Sequence, residues 1–193
     1  MSAIQQDIIL AGVGGQGILT VAGVIASAAV AKGLRVKQSE VHGMAQRGGA
    51  VVSHLRLSSE PIHSDLIPYG AAHVVLAMEP MEGLRYLPFA RRDAVLVSNR
   101  NPVKNMPGYP DIEKLLARIR EWPRHVLVDA ESLARQAGNA RAVNSVILGA
   151  ASAFLVLPGE DLRSRVAAFF ASKGPDVVEK NLVAFDLGCT AAR

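Results

Sequence analysis

Two short segments of the chain carry residue types that could bind a ligand, and the first is a glycine-rich turn. Residues 12–17 read GVGGQG, which matches G-x-G-x-x-G between an apolar strand pattern and an apolar helix pattern. In that context the first glycine permits a tight turn, the second lets the backbone approach a phosphate, and the third allows close helix packing. The helix N-terminus adds unpaired N–H groups and the positive end of the helix dipole. The candidate ligand-binding residues here are Gly12, Gly14, Gly15, Gln16 and Gly17.

This turn has two interpretations: a phosphate site, or glycines that only let a buried helix lie close to the sheet. Gln16 likewise could donate to an anion or cap the turn. A dinucleotide site is disfavoured, because the position for its ribose-binding acid, about 20 residues past the motif, falls near Lys37, and the first acid is Glu40. A P-loop is excluded, because no Gly-Lys-Ser/Thr follows. A free-standing nucleotide-binding protein stays open as an alternative.

The second segment, residues 39–49 (SEVHGMAQRGG), places an acid, an imidazole, an amide and a guanidinium in one polar loop. Arg47 could hold a carboxylate or phosphate through two parallel N–H groups, or it could be solvated or paired within the chain. Glu40 and His42 could take part in proton transfer or pair on the surface. The pattern assigns no catalytic residue. The candidate ligand-binding or cleft-lining residues of this loop are Glu40, His42, Gln46, Arg47, Gly48 and Gly49.

The elements that must position these loops predict an α/β fold. Residues 34–41 and 50–57 alternate apolar and polar like strands, with no room for a helix between them. The other predicted strands lie at 7–11, 73–78, 94–98 and 125–129. Those at 73–78 and 94–98 are fully apolar runs, which are typical of central parallel strands. Helices are predicted at 18–32, 79–87, from Asp111 to about Trp122, and at 131–138, 144–157, 160–173 and 175–187. We therefore predict one domain over residues 1–193, a Rossmann-like, open, mostly parallel sheet flanked by helices, with a helical C-terminal part at about 140–190.

Several polar residues outside the two loops have structural interpretations. Asn144 is expected to cap its helix. Glu79 and Glu82 are expected either to face a partner or to stabilise the N-terminus of a helix that begins at Pro80. His73, at the start of an apolar strand, is expected to be structural. No group of His, Asp and Glu has the spacing of a metal site, so no metal is expected on this chain.

Composition and charge exclude several classes of protein. Half of the 193 residues are apolar, which is enough for one large core. Cys189 is the only cysteine, and this excludes an intrachain disulfide, a cysteine-based zinc site and an iron–sulfur cluster on this chain. A net charge of +4 without a basic stripe argues against nucleic-acid binding. Glycines interrupt the apolar stretch 8–31, which argues against a signal peptide or membrane span, so a cytoplasmic protein is expected.

The two loops taken together are far more specific than either alone. The turn GVGGQGI, followed by SEVHGMAQRGGAVVSHLRL, resembles the gamma-type domain of 2-oxoacid:ferredoxin oxidoreductases, and most closely the beta subunit of the indolepyruvate type. The resemblance covers about residues 4–157. Further segments that agree are LAMEPMEGLRYLP at 76–88, YP at 109–110, DA at 129–130 and NSVILGA at 144–150.

The resemblance implies a division of labour between subunits. In such enzymes a 2-oxoacid is decarboxylated on thiamine diphosphate, electrons leave through iron–sulfur clusters to ferredoxin, and the acyl group passes to the co-substrate coenzyme A. The chain has one cysteine and no Gly-Asp-Gly segment followed by an asparagine, so it is expected to bind none of these cofactors alone. A large alpha-type partner would supply the thiamine diphosphate, magnesium and clusters and would contact ferredoxin.

The resemblance therefore implies a non-cluster subunit that is inactive alone and that acts on indolepyruvate or another arylpyruvate. Pyruvate, 2-oxoglutarate or a branched-chain oxoacid stays open as the substrate class. Nothing in the two loops specifies the pocket for the substrate side chain.

Overall fold

A single sheet organises the chain, whose computed structural model describes residues 3–42, 48–104 and 107–192. Within these residues the sheet contains six strands. They are β1 (Gln5–Val13), β2 (Arg35–His42), β3 (Ala50–Ser58), β4 (Ala72–Ala77), β5 (Ala90–Asn99) and β6 (His125–Val128). Their order across the sheet is β2-β3-β1-β4-β5-β6. The neighbouring strands β1, β4, β5 and β6 pair in parallel.

Strand β3 runs against both of its neighbours, β1 and β2. This direction follows from the short connection between β2 and β3, because a parallel return needs a long crossover, usually a helix. The antiparallel pairing of β2 and β3 agrees with the prediction that no crossover helix connects these two strands. The predicted fold class, an open and mostly parallel sheet with a helical C-terminal part, is confirmed as well.

Helices cover both faces of the sheet. They are α1 (Ile18–Ala31), α2 (Pro80–Arg85), α3 (Ile112–Arg120), α4 (Ala130–Gln136), α5 (Val143–Ser152), α6 (Gly159–Phe170) and α7 (Pro175–Ala191). Helix α1 and helices α4 to α7 pack on one face, and the smaller core on the other face includes α2 and α3. The central strands are buried on both sides, which explains their continuous apolar runs. Among the described residues, no helix has the length and apolar character needed to cross a membrane.

The predicted helix over 144–157 is too long at its C-terminal end, because α5 ends at Ser152. The Gln6 side chain of β1 takes the backbone groups that follow. Its Nε2 donates to the Phe154 carbonyl at 2.8 Å, and its Oε1 accepts from the Val156 N–H at 3.0 Å. These bonds fix residues 153–157 as an irregular connection beside the amino end of the sheet.

Helices α5 and α7 cross at very short range through a pair of glycines. A Cβ built on Gly149 would lie 2.0 Å from the Phe185 carbonyl oxygen, and one built on Gly188 would lie 2.0 Å from the Val146 carbonyl oxygen. Each glycine therefore meets the rigid backbone of the facing helix. The two helices can pack at this distance only while neither position carries a side chain.

A buried ion pair anchors the amino end of the sheet. Arg56 on β3 grips Asp7 on β1 with two hydrogen bonds, Nε to Oδ1 at 2.8 Å and Nη2 to Oδ2 at 3.2 Å. The Asp7 side chain is 3% exposed and that of Arg56 is 16% exposed. The same guanidinium donates through Nη1 to the carbonyls of Ser64 and Leu66. The pair thus holds both the strand register and the segment that runs from β3 to β4.

Two histidines of the sheet, His54 on β3 and His73 on β4, are held in the neutral form by backbone contacts. The Nδ1 of His54 accepts from the Ile67 N–H at 3.1 Å, and that of His73 accepts from the Asp7 N–H at 3.0 Å. An Nδ1 that accepts a backbone N–H carries no proton of its own. Burial lowers the pKa of both imidazoles, with the nearby arginine charges adding to the effect. The predicted structural role of His73 agrees with this contact.

These histidines predict a loss of stability in mild acid. Because both pKa values lie below 6.5 in the folded chain, the unfolded chain binds more protons once the pH falls below about 6.5. We expect the free energy of unfolding to decrease between about pH 6.5 and pH 5. The double variant His54→Asn/His73→Asn, whose amide oxygens can accept the same N–H groups, should flatten that slope. Urea denaturation across this pH range measures it, and an unchanged slope in the double variant contradicts the prediction.

Candidate functional site

The carboxyl ends of the parallel strands meet at one edge of the sheet, and both predicted loops lie there. The chain leaves β1 into α1 on one face, whereas it leaves β4 into α2 on the opposite face. Adjacent strands whose connections leave to opposite faces form a topological switch point, where open α/β sheets bind ligands. We call this region, built from the ends of β1 and β4 and the loops beside them, the carboxyl edge.

Three positions of the first turn favour glycine, each for a different steric reason. Gly15 and Gly17 have φ values of 100° and 79°, in the left-handed region that favours glycine. A Cβ on Gly12 would lie 2.9 Å from the Cβ of Met78, and one on Gly17 would lie 2.7 Å from the Nδ2 of Asn144. No atom lies within 4 Å of a Cβ built on Gly15. The turn is therefore packed at both ends and open at its middle.

The Gln16 side chain links the ends of β1 and β4 at the switch point through two hydrogen bonds. Its Oε1 accepts from the Val13 N–H at 2.7 Å, and its Nε2 donates to the Met78 carbonyl at 3.0 Å. Of the two interpretations of Gln16, the geometry favours the cap of the turn over the anion donor. The carboxamide bridges the ends of β1 and β4, where a nucleotide crevice would have to open.

The structure joins the first turn to the second loop. The Gly14 N–H donates to the Gly49 carbonyl at 2.9 Å, and Val13 pairs with Ala50 as β3 begins. Gly48 has a φ of 80°, so this part of the loop also uses a conformation that favours glycine. Gly14 and Gly49, which are 35 residues apart in the chain, are thus in direct contact.

The remaining candidates of the second loop are placed only in part. Glu40 lies near the end of β2, where it pairs with Ser53 of β3, and its side chain is exposed. The backbone of His42 ends β2 and pairs with Val51. Gln46 and Arg47 lie outside the described residues. Glu40 and the end of β2 therefore share the carboxyl edge with the glycine turn.

A buried carboxylate, Glu79, follows β4 at the same edge. It is fully buried, and its Oε2 accepts from the Glu82 N–H at 2.9 Å as the N-cap of α2. Its Oε1 accepts a hydrogen bond from the Tyr109 hydroxyl and a longer one, 3.5 Å, from the Val103 N–H. The expectation that Glu79 and Glu82 stabilise the N-terminus of α2 is confirmed. The alternative expectation, that they face a partner, is wrong because both side chains are buried.

Tyr109, to which the sequence patterns assign no role beyond its place in the YP segment, also lies at this edge. Burial raises the pKa of its hydroxyl well above the ordinary value, and the hydrogen bond to Glu79 adds to the shift. The hydroxyl therefore remains a donor at neutral pH and holds the segment that follows β5 against α2. In the sequence, Glu79 could be noticed as an acid directly after an apolar strand. Its partner Tyr109 could not, because it lies 30 residues away in the chain.

Asparagine side chains complete the scaffold of the edge. Asn99 donates to the Met78 carbonyl at 3.3 Å and accepts from the Ala130 N–H at 3.3 Å, which ties β4 and β5 to the start of α4. The prediction that Asn144 caps α5 is wrong, because the N-cap is Ala142 and Asn144 lies inside the first turn. Its Oδ1 accepts from the Ser145 N–H at 2.9 Å, and its Nδ2 faces the Gly17 turn.

Most polar side chains of the carboxyl edge serve to hold the edge together. The polar side chains that build it, Gln16, Glu79 and Asn99, bond mainly to the backbone within the edge itself. The open middle of the glycine turn, at Gly15, remains accessible to another molecule. In the residues that the structure describes, no cluster of three or more His, Cys, Asp or Glu side chains could hold a metal ion.

Residues 7–191 match the family described as pyruvate ferredoxin/flavodoxin oxidoreductase. The indolepyruvate oxidoreductase subunit IorB of Archaeoglobus fulgidus is 35% identical over 96% of this chain and 94% of that protein. The subunit of the same name from Pyrococcus horikoshii is 34% identical over 98% of this chain and 96% of that protein.

Solved structures agree with these sequence matches. The gamma subunit of a keto/oxoacid ferredoxin oxidoreductase from Geobacter sulfurreducens superposes with a TM-score of 0.70 at 25% identity, over 97% of this chain and 98% of that one. A 2-oxoglutarate:ferredoxin oxidoreductase from Magnetococcus marinus, solved with 2-oxoglutarate, coenzyme A and succinyl-CoA, gives a TM-score of 0.77 at 25% identity over 97% of this chain. This chain spans only 31% of that longer one. The chain belongs to the pyruvate ferredoxin/flavodoxin oxidoreductase family and is an IorB-like subunit of a 2-oxoacid:ferredoxin oxidoreductase, as the two loops predicted.

Proposed function

We propose that this chain is the non-cluster subunit of a cytoplasmic arylpyruvate:ferredoxin oxidoreductase, with indolepyruvate as the substrate. The assembled enzyme would convert the 2-oxoacid and coenzyme A to acyl-CoA and carbon dioxide, and would pass two electrons to ferredoxin. The observation that carries the proposal is the Gly14–Gly49 hydrogen bond. It brings the first turn into contact with Gly49 at the end of the second motif, and the match to the IorB subunits extends over nearly the whole chain.

The residues of this chain do not fit the cofactors of that reaction. A cysteine-ligated iron–sulfur cluster needs several thiolates, and the chain has only Cys189. The described residues also offer no cluster of ligands for a metal ion. We therefore assign thiamine diphosphate, magnesium and the clusters to a large alpha-type partner, which would also contact ferredoxin.

The part that remains for this chain is to close the active-site cleft. The carboxyl edge offers a packed and hydrogen-bonded surface with an exposed acid, Glu40, rather than a flexible lid. A rigid wall of this kind orients a co-substrate and excludes water at low entropic cost. We propose that the edge faces the bound 2-oxoacid and coenzyme A in the complex, and that Arg47 holds one of their anionic groups.

Co-expression with the large subunit tests the assembly. We expect the two chains to purify together as a brown complex that consumes indolepyruvate with a higher kcat/KM than pyruvate, 2-oxoglutarate or branched-chain oxoacids. The isolated chain should show no decarboxylation. Activity of the isolated chain with any 2-oxoacid would contradict the proposal. Tight binding of NAD, FAD or ATP to the isolated chain, measured by calorimetry, would favour a free-standing nucleotide-binding protein instead.

Arg47→Ala tests the role of the second loop. Loss of a hydrogen bond to a charged group costs about 1.5–3 kcal/mol, so we expect turnover of the complex to fall about 10- to 100-fold. Co-purification of the two subunits should remain unchanged. Arg92→Ala is the matched control, because Arg92 is exposed at the amino end of β5, away from the carboxyl edge. Unchanged turnover in Arg47→Ala would remove this residue from the site.

A further inference from the structure

The outer edge of β6 presents backbone groups that pair with no further strand in the part of the chain that the structure describes. There, β6 is the last strand in the sheet order and pairs only with β5. The Arg124 and Val128 carbonyls accept from the N–H groups of Leu96 and Arg100, on the β5 side, at 2.9 Å each. Since the direction of these groups alternates along a strand, the N–H and C=O of His125 and Leu127 point outward.

A groove of about 440 Å³ runs along this edge. Leu116 and Arg120 of α3 contribute one wall, and Ala191 and Ala192 at the end of α7 contribute the other. Val126 and Leu127 are half-buried at its floor. The groove therefore has polar and apolar lining residues, and the outward backbone groups of β6 lie along it.

The charges around the groove have one sign. Its ionisable lining residues are Arg100, Arg120 and His125, with no acid among them. Within the described chain, the side chains of Arg100 and Arg120 are exposed and make no ion pair, whereas Arg118 on the same helix pairs with Glu121. The opposite edge strand, β2, differs, because its Lys37 lies 4.0 Å from Asp65. Two unmatched guanidinium groups thus flank the β6 edge.

We propose that the β6 edge binds an extended acidic segment of a partner polypeptide, which adds to the sheet as a further strand. The backbone of the segment bonds to the outward N–H and C=O groups of His125 and Leu127. Its carboxylates contact Arg100 and Arg120, and its apolar side chains pack against the apolar part of the lining, such as Leu116. This is the recognition mode in which main-chain bonds supply affinity and side-chain pockets supply specificity. The site lies along the outer side of β6, apart from the glycine turn, and does not depend on the proposed oxidoreductase reaction.

Hydrogen exchange on the full chain tests the proposal with a short synthetic peptide of alternating glutamate and valine as the probe. We expect the peptide to slow exchange of the His125 and Leu127 amides, and the affinity to fall as salt rises, because the charges involved are exposed. Arg120→Glu should weaken peptide binding about 10-fold or more through charge repulsion. Arg92→Glu, the same charge change on an exposed arginine at the amino end of the sheet, should leave it unchanged.

Leu127→Pro is the second variant, because proline removes the outward N–H while an edge position tolerates its ring. It should abolish the slow exchange at His125 and keep a native circular dichroism spectrum. If the proline variant does not fold, Arg120→Glu decides alone. The proposal is overturned if millimolar peptide slows neither amide. It is also overturned if free glutamate at equal carboxylate concentration has the same effect, or if the amides are already protected in a self-associated chain.

Discussion

Gly149→Ala is expected to destabilise the chain by at least about 3 kcal/mol. The new methyl group would lie 2.0 Å from the Phe185 carbonyl oxygen and 2.8 Å from its carbon. These atoms belong to the backbone of α7, so no change of rotamer can relieve the overlap. Helices α5 and α7 would have to move apart, and this opens the larger of the two cores along its longest helix. A domain with a total stability of about 5–15 kcal/mol loses a large fraction of it.

Gly23→Ala is the matched control for this prediction. Gly23 also lies inside a helix, but no atom lies within 4 Å of a Cβ built on it. Alanine there should stabilise the chain by roughly 0.5–1 kcal/mol, because it restricts the unfolded backbone without meeting a neighbour. Urea denaturation of both variants measures the difference. A loss below about 1 kcal/mol in Gly149→Ala would mean that the two helices adjust easily and are not held by their glycines.

The second large effect is expected from Asp7→Ala. The substitution leaves the Arg56 guanidinium, whose side chain is only 16% exposed, without its carboxylate. Breaking a buried pair in this way costs about 3–5 kcal/mol. It also loosens the segment after β3, because Arg56 then keeps only its bonds to the Ser64 and Leu66 carbonyls. We expect a lower urea midpoint with a slope close to that of the wild type.

Two further variants separate burial from pairing as the cause. Arg163 and Asp186 form a pair with the same two-bond geometry, both bonds at 2.9 Å, but their side chains are 46% and 49% exposed. Asp186→Ala should therefore cost less than about 1 kcal/mol. The double variant Asp7→Ala/Arg56→Met should recover part of the loss, because it removes the uncompensated charge. Equal losses for the buried and exposed pairs would contradict this explanation.

The sequence patterns predicted the buried elements well and the exposed ends of elements poorly. Apolar runs marked β4 and the buried half of β5, but β5 begins earlier, at Ala90, with exposed polar residues that no apolar run could reveal. Residues 153–157 looked like a continuation of α5. They are irregular because Gln6, on a strand far away in the chain, binds their backbone. Local composition carries no record of such a partner.

In the candidate site, too, the sequence identified the segments but not the contacts of their individual residues. The glycine turn and the second loop were found from motif and spacing, and the structure brings Gly14 and Gly49 into contact. The individual roles within the site were not found in this way. Gln16 holds two strands together, Glu79 holds Tyr109, and Asn144 faces the turn instead of capping its own helix. Each of these roles depends on an atom that another element supplies.

The sequence by itself determined the family, the fold class and the absence of a cysteine-ligated cluster on this chain, because these follow from local patterns and from composition. The lone Cys189 and the two loop motifs needed no coordinates. Only the tertiary structure decided that the loops form one edge, that Glu79 faces inward, and that two arginines lie without ion pairs beside the open edge of β6, within the described residues. The physical reason is that burial and hydrogen bonding depend on distances between residues far apart in the chain, and only the packing of the elements sets those distances.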